Sequence, residues 1–298
     1  MTVSGRHTEE ELAGVARAMA ACVPSLTVRS TVGLVASKDR VLRQIGSGTL
    51  LAVADRQFVV TAAHVARDAS EVGATVGVSG TLDGNFVAAA GTWLLSGDPG
   101  QPTQDDRDVA VYPLSRSQGT RFDPTAFVRV GDVAFLADTS SGCFVVTGFP
   151  VMWSSSLTPE EVTMKSKMLQ YGTFALAGST AGLVGFAPER HFLLEATPEF
   201  LLDSGGQRTS LRTRTGHPAQ MPNDLVGVSG CSVWKIGDFT RPFDTWSARE
   251  AKLVGVETSV YKQRRAIKVT RWASVASLLY VAVPETRRVL EMYEHMAQ

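Results

Sequence analysis

The 298-residue chain has few cysteines, and their positions exclude two classes of small, cross-linked protein. Cys22, Cys143 and Cys231 lie far apart, and no CxxC pair occurs. Their odd number and wide spacing argue against a disulfide framework or a zinc knuckle. A reducing compartment is the simpler interpretation.

The sequence also lacks an excess of charge and a long apolar run. Its 29 basic and 29 acidic side chains give a formal net charge of zero, so the chain as a whole has no field that attracts nucleic acid or an anionic membrane. The short basic runs 212–214 and 262–265 are interpreted as solvated loops. No apolar run approaches the roughly 18 residues of a membrane helix, and the N-terminus does not resemble a signal peptide. We therefore expect a cytoplasmic protein without nucleic-acid or membrane partners.

Most of the sequence consists of short apolar runs that favour β-strands. From Leu26 onward these runs recur at roughly ten-residue spacing between Gly, Asp and Pro, as is typical of an antiparallel barrel or sandwich. A helix is expected before them, because Thr8 and Glu11 have the spacing of a capping box and Pro24 ends the apolar periodicity. A second helix is expected to begin at Pro284.

A histidine and an aspartate each lie at the end of an apolar run. His64 closes the segment TAAH directly after such a run, where its ring can be held at a cleft and still exchange protons. Asp108 opens the segment DVAV, and a carboxylate there can accept the histidine N–H and fix its tautomer. Asp105 and Asp106 compete for this role, but Asp108 is preferred because the strand begins immediately after it.

A serine lies between two glycines in the segment GVSG, residues 227–230. The glycines allow a turn tight enough to present the Ser229 hydroxyl. The backbone amides of Gly227 and Ser229 would then point at a developing oxyanion. A bare GxSG pattern is common in loops. The segment therefore indicates a functional serine only in combination with the TAAH and DVAV segments that precede it.

In the order His, Asp, Ser, the three segments resemble the chymotrypsin-like, or trypsin-fold, serine proteases. GSGT at 46–49 is similar to the strand that precedes the histidine strand of that family, and TGFP at 147–150 is similar to a turn of its second barrel. LVGV at 253–256 resembles the strand that follows the nucleophile. Subtilisins and α/β-hydrolases have their residues in other orders. The resemblance extends from about Leu26 to the C-terminus.

The resemblance implies an all-β fold of two six-stranded antiparallel β-barrels with an N-terminal and a C-terminal helix. The expected divisions are a helical extension over 1–25, a first barrel over 26–125, a second barrel over 126–283 and a final helix over 284–298. The first barrel would contain His64 and Asp108, and the second would contain the serine.

It also implies hydrolysis of a peptide bond, with Ser229 as nucleophile, His64 as general base and Asp108 as the residue that orients His64. The amides of Gly227 and Ser229 would form the oxyanion hole. No metal or organic cofactor is needed. The remaining histidines lack a partner at metal-ligand spacing, and no metal site is predicted at them: His7, His191, His217 and His295.

The family register also indicates where a primary specificity pocket would lie. Its base is expected near Asn223, and its walls at Thr258, Ser259 and Val260 and on the strand that contains Ile267. Two acids, Asp224 and Glu257, are candidates for recognising an arginine or lysine side chain, or they are surface or turn residues. Narrowing of the pocket by Val260 and Ile267 is equally compatible with an aliphatic or small-residue preference.

Two departures from the family pattern stand out. Ser229, Gly230, Cys231 and Ser232 replace the usual S-G-G-P, which is closer to bacterial intracellular relatives. Cys231 is interpreted as a small residue that fills space behind the serine, or as a redox-sensitive neighbour. An activation site of the digestive-enzyme kind is not recognisable, so activation by a newly cut N-terminus is not expected.

These features favour an intracellular, bacterial, trypsin-like serine endopeptidase that cleaves a limited set of protein or peptide substrates, with a regulatory protein partner as a possibility. A non-catalytic binding scaffold that kept the protease fold is the alternative from another class. An esterase is a further alternative, because the same acyl chemistry cleaves esters.

Overall fold

Two curled antiparallel β-sheets, with helices at both ends of the chain, make up the structure. This computed structural model describes residues 9–39, 41–71, 73–97, 106–156, 164–178, 180, 182–196 and 225–296. The predicted fold class, two chymotrypsin-like β-barrels, is confirmed by the strand pairing within these residues.

The first sheet has the strand order β5-β4-β1-β2-β3-β7-β6, and β8 pairs in parallel with β2. Its strands are β1 (Thr31–Lys38), β2 (Val41–Val53), β3 (Arg56–Ala62), β4 (Thr75–Val78), β5 (Val87–Ala88), β6 (Leu94–Leu95), β7 (Val109–Pro113) and β8 (Val128–Arg129). The sheet has eight strands rather than the predicted six. The additional strands include segments of only two residues, which pair with the longer strands but are too short to leave a sequence pattern. Strand β8 continues this sheet at 128–129, beyond the expected division at 125.

The second sheet has six strands in the order β12-β9-β14-β15-β16-β13. The strands of the second half are β9 (Cys143–Gly148), β10 (Ser155–Ser156), β11 (Met164–Lys165), β12 (Leu169–Phe174), β13 (His191–Glu195), β14 (Ser232–Gly237), β15 (Lys252–Tyr261) and β16 (Ala266–Arg271). Strands β10 and β11 pair only with each other. An antiparallel bridge between Ala175 and Leu194 joins the two edges of the six-stranded sheet and closes it into a barrel.

Helices lie at both ends of the chain and between strands. They are α1 (Glu9–Cys22), α2 (Ser25–Ser30), α3 (Ala63–Glu71), α4 (Arg116–Gly119), α5 (Trp272–Ala282) and α6 (Arg287–Met296). Two of them differ from the sequence expectation, since α2 occupies part of the expected first β-rich run and α5 precedes Pro284. Helix α5 is apolar on most of its surface, so its sequence carries little helical periodicity. No helix among the described residues is long and apolar enough to span a membrane.

Each barrel has its own apolar interior, and a third cluster of buried side chains lies between the barrels. This third cluster includes Leu51 and Val111 of the first sheet, Leu253 and Trp234 of the second, and Leu279 of α5. Helix α1 contributes Val15, Met19 and Cys22 to it. Terminal helices and both sheets therefore share one core, which fixes how the barrels face each other.

Replacement of Leu253 by alanine tests this shared core. Leu253 is 0% exposed, and we expect L253A to lower the free energy of unfolding by about 2–5 kcal/mol because the surrounding side chains close the cavity only in part. The matched control is L136A, at a leucine that is 64% exposed, for which a change within about 0.5 kcal/mol is expected. Urea denaturation of both variants makes the comparison, and equal losses would contradict this account of the core.

Candidate active site

Strand pairing brings His64 and Asp108 together. Strands β3 and β7 run antiparallel, with Ala62 opposite Val109. Helix α3 begins directly after β3, so His64 is its second residue, and Asp108 immediately precedes β7. Two residues that are far apart in sequence therefore lie at the same open end of one strand pair.

Four contacts hold this pair in place. Nδ1 of His64 lies 2.7 Å from Oδ2 of Asp108, and the backbone N–H of His64 donates to Oδ1 of the same carboxylate at 2.8 Å. The Ala63 amide donates to the Asp108 carbonyl oxygen at 3.0 Å. Since a carboxylate only accepts hydrogen bonds, Nδ1 carries the proton and the unprotonated Nε2 can act as a base. Arg67, one helical turn after His64, places Nη2 3.4 Å from Oδ1 and adds a cation beside the pair.

Asp108 has a backbone conformation that is unusual for a residue with a side chain. Its φ angle is +50°, in the left-handed region. Aspartate tolerates this region better than most residues, yet the conformation carries a local energetic cost. The Asp108 carbonyl and carboxylate both bind the start of α3, so the surrounding hydrogen bonds maintain this conformation.

The pKa of His64 is raised above its ordinary value of 6.5. Burial acts in the opposite direction, because it disfavours the charged imidazolium. The hydrogen bond from His64 to Asp108 and the charge of Asp108 outweigh burial, and the charges of Glu257 and Asp68 add to the upward shift. The imidazole is thus a stronger base than an isolated histidine.

The two competing acids have other positions. Asp106 forms an ion pair with Arg190, away from the imidazole of His64. Asp105 lies outside the described residues. Of the described acids near this strand, Asp108 is the one that contacts His64.

Ser229 lies in the loop that leads into β14, and the first barrel holds this loop. The Ser47 amide donates to the Ser229 carbonyl oxygen at 2.8 Å, and the Ser47 hydroxyl donates to the Gly227 carbonyl oxygen at 2.8 Å. The Ser47 hydroxyl also accepts from the Phe149 amide at 2.8 Å. Sequence analysis noted the GSGT segment but assigned no role to Ser47. The serine of this segment in fact connects the Ser229 loop to the first barrel.

The predicted oxyanion donors are the Gly227 and Ser229 amides. Gly227 has a φ of +91°, and a Cβ atom there would lie 2.9 Å from both the Phe149 carbonyl oxygen and the Val151 amide nitrogen. Only glycine fits this turn without strain. Within the described part of the chain, neither amide donates to a protein acceptor.

Gly230 brings the Ser229 loop against strand β3. Its φ is +90°, and an added Cβ would overlap the Thr61 hydroxyl and the Ser47 carbonyl oxygen and lie 2.8 Å from the Ala62 amide nitrogen. The Ser229 loop therefore lies directly against the end of the strand that leads to His64.

This close approach predicts a severe effect of G230A. We expect a loss of about 3 kcal/mol or more in the free energy of unfolding, because the substitution adds an overlap to the strain of a left-handed backbone. G84A is the matched control, since Gly84 also has a positive φ of +74° but no atom within 4 Å of an added Cβ. Thermal unfolding measures both, and a G230A loss no greater than that of G84A would show that the approach is not tight.

Glu257 of β15 lies beside the candidate nucleophile, with its side chain buried. The residue is 2% exposed. Its backbone is fixed to the same loop, because its carbonyl accepts from the Gly230 amide at 2.8 Å and its amide donates to the Cys231 carbonyl at 3.0 Å. Sequence analysis considered Glu257 as a pocket acid or a surface residue. Instead, the structure buries this residue, with its backbone bound to the loop that contains Ser229.

The pKa of Glu257 is raised to about 7. Burial is the largest cause, since it disfavours the charged carboxylate. The charge of His64, the Ser229 hydroxyl and the charge of Lys268 lower it, while the charge of Asp108 raises it. Close to neutral pH, Glu257 therefore exchanges between a carboxylate and a carboxylic acid.

This shift predicts how stability depends on pH. An acid whose pKa is about 7 when folded and 4.5 ordinarily binds more protons in the folded state, so stability falls as pH rises between these values. Ionised Glu257 costs about 3 kcal/mol above pH 7. The free energy of unfolding of E257Q relative to that of the parent should therefore increase by about that amount from pH 5 to pH 8. Urea denaturation at both values measures the difference, and an unchanged difference would contradict the raised pKa.

The other residues of the predicted specificity pocket differ in their burial. Thr258 is buried, with its hydroxyl 3.2 Å from that of Thr270, while Ser259 and Val260 are half-buried on the same strand. Asn223 and Asp224 lie outside the described residues.

Cys231 fills space in the interior of the second barrel. It is 0% exposed, within a cluster that includes Val146 and Val233. Burial, and to a lesser degree the charge of Glu257, raises the pKa of its thiol well above the ordinary value. These surroundings favour the small-apolar interpretation over the redox-sensitive one. Across the described residues, no three His, Cys, Asp or Glu side chains are grouped as they would be around a metal ion.

Comparison with known proteins gives structural similarity alone. No family model and no curated protein matches the sequence. The chain is similar to the inactive form of the Rv3671c protease, with a TM-score of 0.44, 15% identity, and coverage of 86% of this chain and 90% of that one. It is also similar to a variant of the HtrA-type protease AlgW with a tripeptide, with a TM-score of 0.46, 13% identity, and coverage of 90% and 63%. The two-barrel fold rests on the strand pairing itself.

Proposed function

We propose that this chain is a serine endopeptidase of the trypsin-like type. The observation that carries the proposal is the half-buried His64–Asp108 pair, with the 2.7 Å contact at Nδ1, at the barrel junction where Ser47 binds the Ser229 loop and Gly230 packs against β3. A base oriented by a carboxylate beside a presented hydroxyl is the arrangement required for acyl transfer.

In the first half of the reaction, Ser229 Oγ attacks the carbonyl carbon of the scissile peptide bond. His64 Nε2 takes the hydroxyl proton, and Asp108 stabilises the imidazolium that forms. The tetrahedral oxyanion binds between the Gly227 and Ser229 amides. Collapse breaks the C–N bond, His64 returns the proton to the leaving amine, and an ester with Ser229 remains.

In the second half, water attacks this ester. His64 accepts a proton from the water, and the same two amides bind the second oxyanion. Ser229 leaves with the proton from His64, and the carboxylic acid product is released. Every proton is accounted for by His64, so no cofactor or metal takes part in the proposed mechanism.

The proposal extends to the setting in which the enzyme acts. A neutral chain with buried, unpaired cysteines is compatible with a cytoplasmic, bacterial protein. We propose cleavage of a limited set of protein or peptide substrates, with control by a protein partner and without nucleic-acid or membrane binding. Substrate choice then depends on local contacts in the cleft, including Thr258, Ser259 and Val260.

A fluorophosphonate probe tests the proposed nucleophile. We expect the folded protein to be labelled at Ser229 and S229A to remain unlabelled. H64A should be labelled about a thousandfold more slowly, because the general base is lost. Mass spectrometry of the modified peptide identifies the site.

Controls distinguish the proposal from its two alternatives. S117A removes an exposed serine outside the site and should be labelled like the parent. Equal labelling of S229A and the parent, or no labelling of either, would support the non-catalytic scaffold instead. Parallel ester and peptide libraries with active protein identify an esterase, which would turn over esters and no peptide.

A further inference from the structure

The two residues that precede Asp108 are bound by the second barrel. Asp106 forms an ion pair, through its Oδ2, with Nη1 of Arg190, which lies immediately before β13. The carbonyl oxygen of Arg107 accepts a hydrogen bond of 2.7 Å from the hydroxyl of Thr270 on β16, a residue that is 0% exposed. The chain that enters Asp108 is thus held at two successive residues by groups from the other barrel.

Arg190 is itself part of a well-bonded turn. Its amide and the amide of His191 both donate to the Ala187 carbonyl oxygen, at 2.9 and 2.8 Å, and its own carbonyl oxygen accepts from the Arg271 amide at 2.7 Å. The ring of His191 closes the turn, because its Nδ1 accepts from the Ala187 amide at 2.9 Å. A side chain that starts from a fixed backbone loses less conformational entropy when it binds a partner. Arg190 is therefore preorganised to bind Asp106.

Asp108 is the residue that these contacts support. Its φ of +50° lies in the left-handed region, and a strained conformation persists only where its surroundings determine it. Hydrogen bonds with the start of α3 fix its carbonyl and its carboxylate from the first barrel. The ion pair and the Thr270 hydroxyl fix the chain where it enters this residue. His191 lies opposite Thr270 in the pairing of β13 with β16, so Arg190 and Thr270 act from neighbouring positions of one sheet.

Other charged groups near Arg190 come from its own segment and from β16, in addition to its ion-pair partner. Glu189 places Oε1 3.8 Å from Nε of Arg190. Burial, and to a lesser degree the charge of Lys268 on β16, lowers the pKa of His191 to about 4. His191 is therefore mostly neutral above pH 5, in agreement with an Nδ1 that accepts a hydrogen bond. The turn that holds Arg190 thus keeps its protonation state over the range in which His64 titrates.

We propose that Arg190 is a positioning residue of the candidate active site. Its ion pair with Asp106 holds the chain that enters Asp108, and so keeps the Asp108 carboxylate on Nδ1 of His64. The inference rests on the proposed function, because it assumes that His64 acts as the base for Ser229. No proton of the proposed reaction passes through Arg190 itself.

Two neutral substitutions break the ion pair from its two sides. R190M keeps an unbranched side chain, and D106N keeps the size of the aspartate. The double variant R190M/D106N completes a mutant cycle. The matched control is R241M, since Nη1 of Arg241 lies 3.0 Å from Oε2 of Glu250 in another partly exposed ion pair, located after the far end of β14.

The first readout is the rate of fluorophosphonate labelling of Ser229 at pH 8 in the full chain. We expect R190M and D106N each to be labelled about fivefold more slowly than the parent, because His64 is less often held in the orientation that accepts the serine proton. This factor corresponds to about 1 kcal/mol, the upper end for an ion pair of this exposure. The double variant should be no slower than either single variant, since all three lose the same bond. R241M should keep the parent rate.

The second readout is the pKa of His64, followed by NMR titration of its ring protons with H64A for the assignment. The contact with Asp108 raises this pKa, so a weaker contact lowers it. We expect the pKa to fall by about 0.3 in both R190M and D106N. A change of charge alone would act differently, because loss of the Arg190 cation would raise the pKa and loss of the Asp106 anion would lower it. A fall in both variants is thus specific for positioning.

The outcomes separate this inference from the proposed function. If R190M or D106N is labelled within about twofold of the parent rate, or if the pKa of His64 does not fall in R190M, Arg190 does not position Asp108 and the inference is wrong. Labelling of the parent at Ser229 would still support the protease. If no protein is labelled at Ser229, the proposed function fails, and the NMR titration alone decides whether Arg190 holds the His64–Asp108 pair.

Urea denaturation separates positioning from general stability. A partly exposed ion pair contributes little to the free energy of unfolding, so R190M and R241M should show similar, small losses. A much larger loss in R190M than in R241M would assign its slower labelling to destabilisation of the fold and would overturn the inference.

Discussion

The hydrogen bonds of Ser47 join the two barrels at the point on which the candidate site depends. The core shared by both sheets fixes how the barrels face each other, and the Ser229 loop needs a further contact to hold it against the His64 strand. Ser47 provides this contact through its amide and its hydroxyl, which bind two carbonyls of the loop. Gly230 permits the approach because any side chain there would overlap the neighbouring strand. The site is thus a property of the junction rather than of either barrel.

A second contact across the junction supports the acid. The hydroxyl of Thr270, on β16 of the second barrel, donates to the Arg107 carbonyl at 2.7 Å, immediately before Asp108. Asp108 itself has a strained φ, and a strained residue persists only where its surroundings determine it. Hydrogen bonds between Asp108 and the start of α3 restrain this residue from the first barrel. The Thr270 hydroxyl restrains the preceding residue from the second barrel. Orientation of the imidazole therefore depends on contacts from both barrels.

The two acids at the site differ in their surroundings. Asp108 is half-buried and receives an imidazole, a backbone amide and the Arg67 guanidinium. Glu257 is buried, and burial is the largest cause of its raised pKa. Donors that surround a carboxylate stabilise its charge, whereas burial favours the protonated form. The same chemical group thus holds the imidazole of His64 at one position and responds to pH near neutrality at the other.

The short apolar runs predict an antiparallel barrel or sandwich, and the order of three motifs supplies the resemblance that implies two barrels with His64, Asp108 and Ser229 at one site. Arg67 and Ser47 were not assigned roles because their contacts arise from helix pitch and from tertiary approach, which short motifs do not encode. The position of Glu257 was also open. Its strand contains an irregularity against β16 between Glu257 and Ser259, so a two-residue alternation cannot state which face the carboxyl occupies.

The buried acid beside the Ser229 loop needs a physical reason, because replacing it with an apolar side chain of similar size would remove a cost of burial. Its backbone does not require the carboxyl group, since the hydrogen bonds to Gly230 and Cys231 are made by main-chain atoms. Packing does not require it either, because an isosteric amide would fill the same volume. What remains is its charge: the charge of Glu257 raises the pKa of His64, and the charge of His64 lowers the pKa of Glu257. Ionisation of the buried acid is therefore coupled to ionisation of the imidazole that Asp108 holds.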